Sequence, residues 1–96
     1  MYLTDCAIER LTDYRAALEM EPPSIEVSFR KTAMDDLFIA IDKGLAEPID
    51  AAYMLYYKYM ECMHWAENNN EVSEIFETMA DEMSFVVDYL VGCCTY

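Results

Sequence analysis

Apolar residues recur at three- and four-residue steps through four stretches of this chain, and the breaks between them are sharp. They fall at Pro22-Pro23, Gly44, Pro48, Asn68 to Asn70 and Gly92. The first stretch runs from about Asp5 to Met20. Thr4 is placed as its N-cap, with Leu3 stapled onto Ile8. Ala7, Ile8, Leu11, Tyr14 and Leu18 line one face, and Asp5, Glu9 and Asp13 fall opposite. The second covers Ser24 to Lys43. Ile25, Val27 and Phe29 alternate with Glu26 and Ser28, a strand-like period that leaves room for a short extended segment at residues 25–29. From Phe29 the period is helical, through Ala33, Leu37, Ala40 and Ile41, with Met34 and Phe38 at the edge. Gly44 suits a left-handed C-terminal position, with Leu45 folding back onto the last turn.

The third stretch starts at Pro48, a good first helical residue, and ends near Glu67. Ile49, Ala52, Tyr53, Tyr56, Tyr57, Met60 and Met63 gather on one side. The other side carries Ala51, Met54, Leu55, Cys62 and Trp65. A helix apolar nearly all round is expected to be covered on more than one side. The fourth stretch runs from Glu71 to Val91, between Asn70 as N-cap and Gly92 as stop. Val72, Ile75, Phe76, Met79, Met83, Val86, Val87 and Leu90 form a wide apolar face. These four helices with short connections predict one small all-α four-helix bundle spanning residues 1–96, with a core rich in methionine and aromatics.

Charge changes the picture most. The chain carries 19 acidic and 6 basic residues, a net charge of −13, yet 55% of it is apolar. Disorder requires low hydrophobicity as well as high charge, so the acidity belongs to a folded protein. Nucleic acid and anionic membranes attract clustered Lys and Arg, and neither is an expected partner. A basic protein surface is. No apolar stretch reaches transmembrane length. The N-terminal MYLTDCAIER lacks the charged start and apolar run of a signal peptide, which leads to an expected cytoplasmic location. The four cysteines, Cys6, Cys62, Cys93 and Cys94, show no framework spacing and are expected as free thiols. A bond between the adjacent Cys93 and Cys94 would be strained.

From Tyr59 to Tyr96 there are eight carboxylates and no lysine or arginine. Glu71, Glu74, Glu77, Asp81, Glu82 and Asp88 are assigned to the side of the fourth helix opposite its apolar face. Glu71 and Glu74 are favoured near the helix N-terminus by the dipole. Glu77, Asp81 and Asp88 gain nothing from it and have no cation at i+4. Successive carboxylates fall roughly 5–6 Å apart along the axis, broadly comparable to phosphates along a nucleic-acid strand. Phe85 and Tyr89 project from the same side, where aromatics ringed by charge suit an interface.

Other candidates are weaker. Glu61 and His64 form one Glu-x-x-His, whereas carboxylate-bridged two-metal bundles need two copies and further glutamates. Cys62 and His64 point apart on a helix and make no nucleophile–base pair. No glycine-rich phosphate loop exists. Tyr53, Tyr56, Tyr57 and Tyr59 lack the basic residues of a base-stacking platform. No catalytic, cofactor or metal site is therefore expected, and the chain is read as a non-enzyme.

In size and acidity the chain resembles small phage-borne proteins that antagonise restriction or CRISPR systems. That resemblance implies an inhibitor or decoy that blocks the cationic site of a nucleic-acid-binding protein, and the charge pattern assigns Glu71, Glu74, Glu77, Asp81, Glu82, Phe85, Asp88 and Tyr89 to the contact. The alternative is a homodimeric helical adaptor or structural protein docking through Leu55, Tyr59, Cys62 and Trp65.

Overall fold

The computed structural model describes residues 2–44 and 46–94, with side chains from 6 to 92 apart from 45. Four helices follow one another: α1 Tyr2–Glu19, α2 Ile25–Asp42, α3 Pro48–Trp65 and α4 Asn70–Cys94. They form the expected all-α bundle, with no strand among the described residues. α4 is the longest and packs against all three others, most extensively α3.

Local chemistry sets most of the boundaries. α1 tightens at its end through Met20 N–H to Ala17 O and Glu21 N–H to Leu18 O, and Pro22-Pro23 then forbids continuation. The strand-like alternation at residues 25–29 is helix instead. Ser24 is its cap: the Ser24 hydroxyl accepts from Val27 N–H at 3.1 Å, satisfying a donor that would otherwise go unpaired, a contribution of about 1 kcal/mol. Gly44 follows the C-cap Lys43 with φ 69°, the left-handed conformation it was expected to take. At α4 the cap lies one residue earlier than expected, since Asn69 Oδ1 accepts from Val72 N–H. Gly92 does not stop α4, which runs through it to Cys94. α1 begins at Tyr2, so Thr4 is inside the helix rather than capping it. The Leu3–Ile8 staple, the folding back of Leu45 and the pairing state of Cys93 and Cys94 lie outside the described residues.

The core is leaner than expected. Ala7, Ala33, Ala51, Ala52 and Ala80 are buried in the bundle, and small side chains let backbones approach. Leu11, Leu18, Leu37, Val86, Val87 and Leu90 fill the space between. Three methionines, Met34, Met79 and Met83, are buried, while Met20, Met54 and Met60 are exposed. Tyr59 is the one aromatic residue of the described core. Tyr14, Phe29, Phe38, Tyr56, Phe76 and Tyr89 pack at its margin, and Tyr53, Tyr57, Trp65 and Phe85 are exposed. Ile8 also falls outside the core.

Tyr59 ties α3 to α2. Its hydroxyl donates to Asp36 Oδ2 at 2.7 Å, and its ring stacks on Phe76 of α4. Burial, then the hydrogen bond to Asp36, push its pKa well above the ordinary phenol range. Tyr59→Phe is expected to cost about 1–2 kcal/mol at neutral pH in urea unfolding, because Asp36 loses a donor. Tyr14 is also raised, to about 12, chiefly by burial and then by the charge of Glu82. A folded state that holds phenolic protons more tightly than the unfolded chain is fully stabilised below the ordinary phenol pKa. It loses that stability as pH rises above it. The protein should therefore weaken steadily above about pH 10, and Tyr59→Phe should flatten that decline. An unchanged alkaline limb in the variant would remove Tyr59 as its source.

Candidate functional site

α4 presents its acids in two different settings. Glu71, Glu74, Glu77, Asp81 and Asp88 are exposed. Glu74, Glu77, Asp81 and Asp88 follow three-, four- and seven-residue steps, so they form one line along the helix. Phe85 belongs to the same line and is 61% exposed. Among the described residues, no lysine, arginine or histidine pairs with any of these five carboxylates. The five therefore repel one another on a rigid support with no intramolecular neutralisation.

Glu82 corrects the expected set. It is 1% exposed and points into the bundle rather than outward. Its Oε1 accepts from Arg30 Nε of α2 at 2.9 Å, and Arg30 also donates to Glu21 Oε2 at 2.8 Å. The Tyr14 hydroxyl of α1 neighbours both Glu82 and Arg30. Partial burial disfavours the Arg30 cation, but the hydrogen bond and charge of Glu82 outweigh it and raise its pKa. Glu82 Oε2 is enclosed and accepts no hydrogen bond from the described residues. The residue is thus a tie between α1, α2 and α4. Tyr89 is corrected too: it is half-buried, with its ring 5.3 Å from that of Tyr14, and does not project from the ridge.

A groove of about 590 Å³ runs between α2 and the ridge, lined by Ile25, Glu26, Phe29, Glu71, Glu74 and Ile75 among others. A neighbouring one of about 350 Å³ continues it past Arg30 and Asp81 to Phe85. Glu26 brings a carboxylate from α2 to the side facing α4. This second rim was not foreseen, and its signal was present: Glu26 sits in the first turn of α2, beside an Ile25 that no core position claims. Ile25, Phe29 and Ile75 give it an apolar lining between carboxylates of α2 and α4, so the surface is suited to a cationic partner that also carries apolar groups.

The residues named for a subunit contact divide differently. Leu55 and Tyr59 are buried within the chain's own core and are not available for docking. Cys62 is half-buried with a free thiol, and Trp65 is exposed. α3 is rotated relative to the expected orientation: Ala51, Ala52, Leu55 and Tyr59 face inward, while Tyr53, Met54, Tyr57, Met60 and Trp65 face outward. The inward face pairs small residues with Tyr59, whose ring stacks on Phe76 of α4 and whose hydroxyl donates to Asp36 of α2.

Glu61 and His64 both lie on the exposed side of α3, and His64 Nδ1 is 3.8 Å from Glu67 Oε2. Among the described residues no group of three His, Cys, Asp or Glu side chains is arranged to hold a metal ion. No helix of the described residues is long and apolar enough to cross a membrane. No family model, curated protein or solved structure matches the chain.

Proposed function

We propose that this protein is a non-enzymatic binding protein whose α4 ridge occupies a basic surface on a nucleic-acid-handling protein and excludes nucleic acid from it. The observation that carries the reading is the unpaired line of Glu74, Glu77, Asp81 and Asp88, with exposed Phe85 among them. A solubilising surface needs no ordered row and no aromatic within it. A docking surface uses both: the acids steer and orient, and the ring supplies a desolvated anchor. The α2–α4 groove extends the reading, since Glu26 of α2 faces Glu71 and Glu74 of α4 across Ile25 and Phe29. The resemblance in size and acidity to small antagonists of restriction and CRISPR systems agrees with this reading, and a nuclease, restriction component or polymerase fits as target.

The test is capture from a cell lysate at low salt, repeated at high salt. Screening shortens charge interactions to about 10 Å at 0.1 M, so a basic nucleic-acid-binding protein should be retained at low salt and lost as salt rises. The captured protein should then bind nucleic acid less well when this chain is added. Retention indifferent to salt, or a captured partner that binds nucleic acid equally well in its presence, would end the proposal.

A further inference from the structure

The outward face of α3 is unlike the rest of the surface. Two heptad-spaced stripes lie side by side on it: Met54, Lys58, Glu61 and Trp65, and Tyr53, Tyr57, Met60 and His64. Both follow steps of four, three and four residues, and all of these residues are exposed. Tyr53, Tyr57 and Trp65 are 44%, 65% and 79% exposed. Taking 150–250 Å² for each large aromatic side chain, these rings leave roughly 400 Å² of surface open per molecule, before the two methionines are added. That is as large as the biggest apolar patch of an ordinary monomer. Two such faces together supply roughly 1,000 Å², where specific interfaces begin.

We propose that two copies of the chain associate through this face, α3 against α3 in antiparallel orientation, with Trp65 of each copy laid across Met54 of the other. Charge selects a second copy as the occupant. The first stripe carries one cation, Lys58, and one anion, Glu61, so it is locally balanced on a molecule of net charge −13. A strongly basic partner would gain little there and gain much at α4. Symmetry then selects the orientation. The midpoint between Lys58 and Glu61 is also the midpoint between Met54 and Trp65. A twofold axis at that point brings Lys58 of each copy opposite Glu61 of the other. The same axis sets the indole against the thioether, a favourable sulfur–aromatic contact. The two ion pairs and the two ring contacts thus follow from one register. Tyr53, Tyr57 and Met60 flank them, and no residue of the acidic ridge is used.

The contact and the ridge respond oppositely to salt. Two molecules of the same net charge repel at low salt, so screening strengthens the dimer. Screening weakens attachment of the ridge to a cation. A failure of one reading is therefore distinguishable from a failure of the other.

Trp65 is the chain's single tryptophan, so its emission reports this interface alone. Sedimentation equilibrium and fluorescence on the purified 96-residue chain, at roughly 100 µM and across a salt series, decide the matter. The expected result is a dimer favoured by salt, with Trp65 emission shifting to the blue as it forms. Trp65→Ala should weaken association at least about tenfold with unchanged helix content, because the side chain is exposed in the monomer. Lys58→Glu should weaken it as well, and Lys58→Glu with Glu61→Lys should restore it. A monomer at high salt with solvent-exposed tryptophan emission would overturn the proposal. So would a dimer indifferent to Trp65→Ala, and a charge swap that fails to restore association would overturn the antiparallel register.

Discussion

Arg30→Met is expected to lower the unfolding free energy by about 3–5 kcal/mol, because it leaves Glu82 charged and buried without its cation. The side chain of Glu82 has no solvent access, and that of Arg30 is largely covered. Glu82 cannot recover water without opening the contact between α2 and α4. For a domain whose total stability is on the order of 5–15 kcal/mol, the variant should be largely unfolded in mild urea. Far-UV circular dichroism across a denaturant series measures this directly. The double variant Arg30→Met with Glu82→Leu should recover most of the loss, since a buried ion pair replaced by apolar groups of similar volume is often neutral. A single variant as stable as the parent would show that Glu82 is solvated and that the tie between the helices is weak.

Reversing Glu77, Asp81 and Asp88 together to lysine should have the opposite profile. These side chains are exposed and unpaired, so the helical signal and melting temperature should match the parent or rise slightly as self-repulsion is relieved. Binding to the basic target should fall by a factor on the order of 100, since attraction becomes repulsion at three points of one ridge. The loss should appear first in the association rate and in its salt dependence. Titration of the captured target with parent and variant provides the comparison. Undiminished binding by a folded triple variant would remove α4 as the docking surface. Glu82→Lys, one residue beyond Asp81, should instead unfold the protein, because it places a second cation against Arg30.

The contrast between adjacent Asp81 and Glu82 was legible in part. On α2, Arg30 stands three residues after Val27 and three before Ala33, at the spacing of the buried face. On α4, Glu82 stands three residues after Met79 and four before Val86, also at buried spacing. A lone cation and a lone anion at core positions of two helices are a pair waiting to be matched. Counting acids on α4 alone hides this, because the reason for Glu82 lies 52 residues earlier in the chain. The orientation of α3 was not legible by the same method. With apolar residues on every side, its periodicity favours no direction, and the choice fell to packing against α4.

Composition and periodicity alone determined that this chain is a folded, strongly acidic bundle of four helices, since proline, glycine and asparagine positions act on the backbone within a turn. They also determined that the acids of α4 would have no local cation, because none occurs in that part of the chain. Tertiary structure decided which of those acids face water, which aromatics are covered, and where α2 adds a second acidic rim. Those outcomes depend on how helices distant in sequence rotate against one another, and rotation is set by the volumes of side chains meeting across the core.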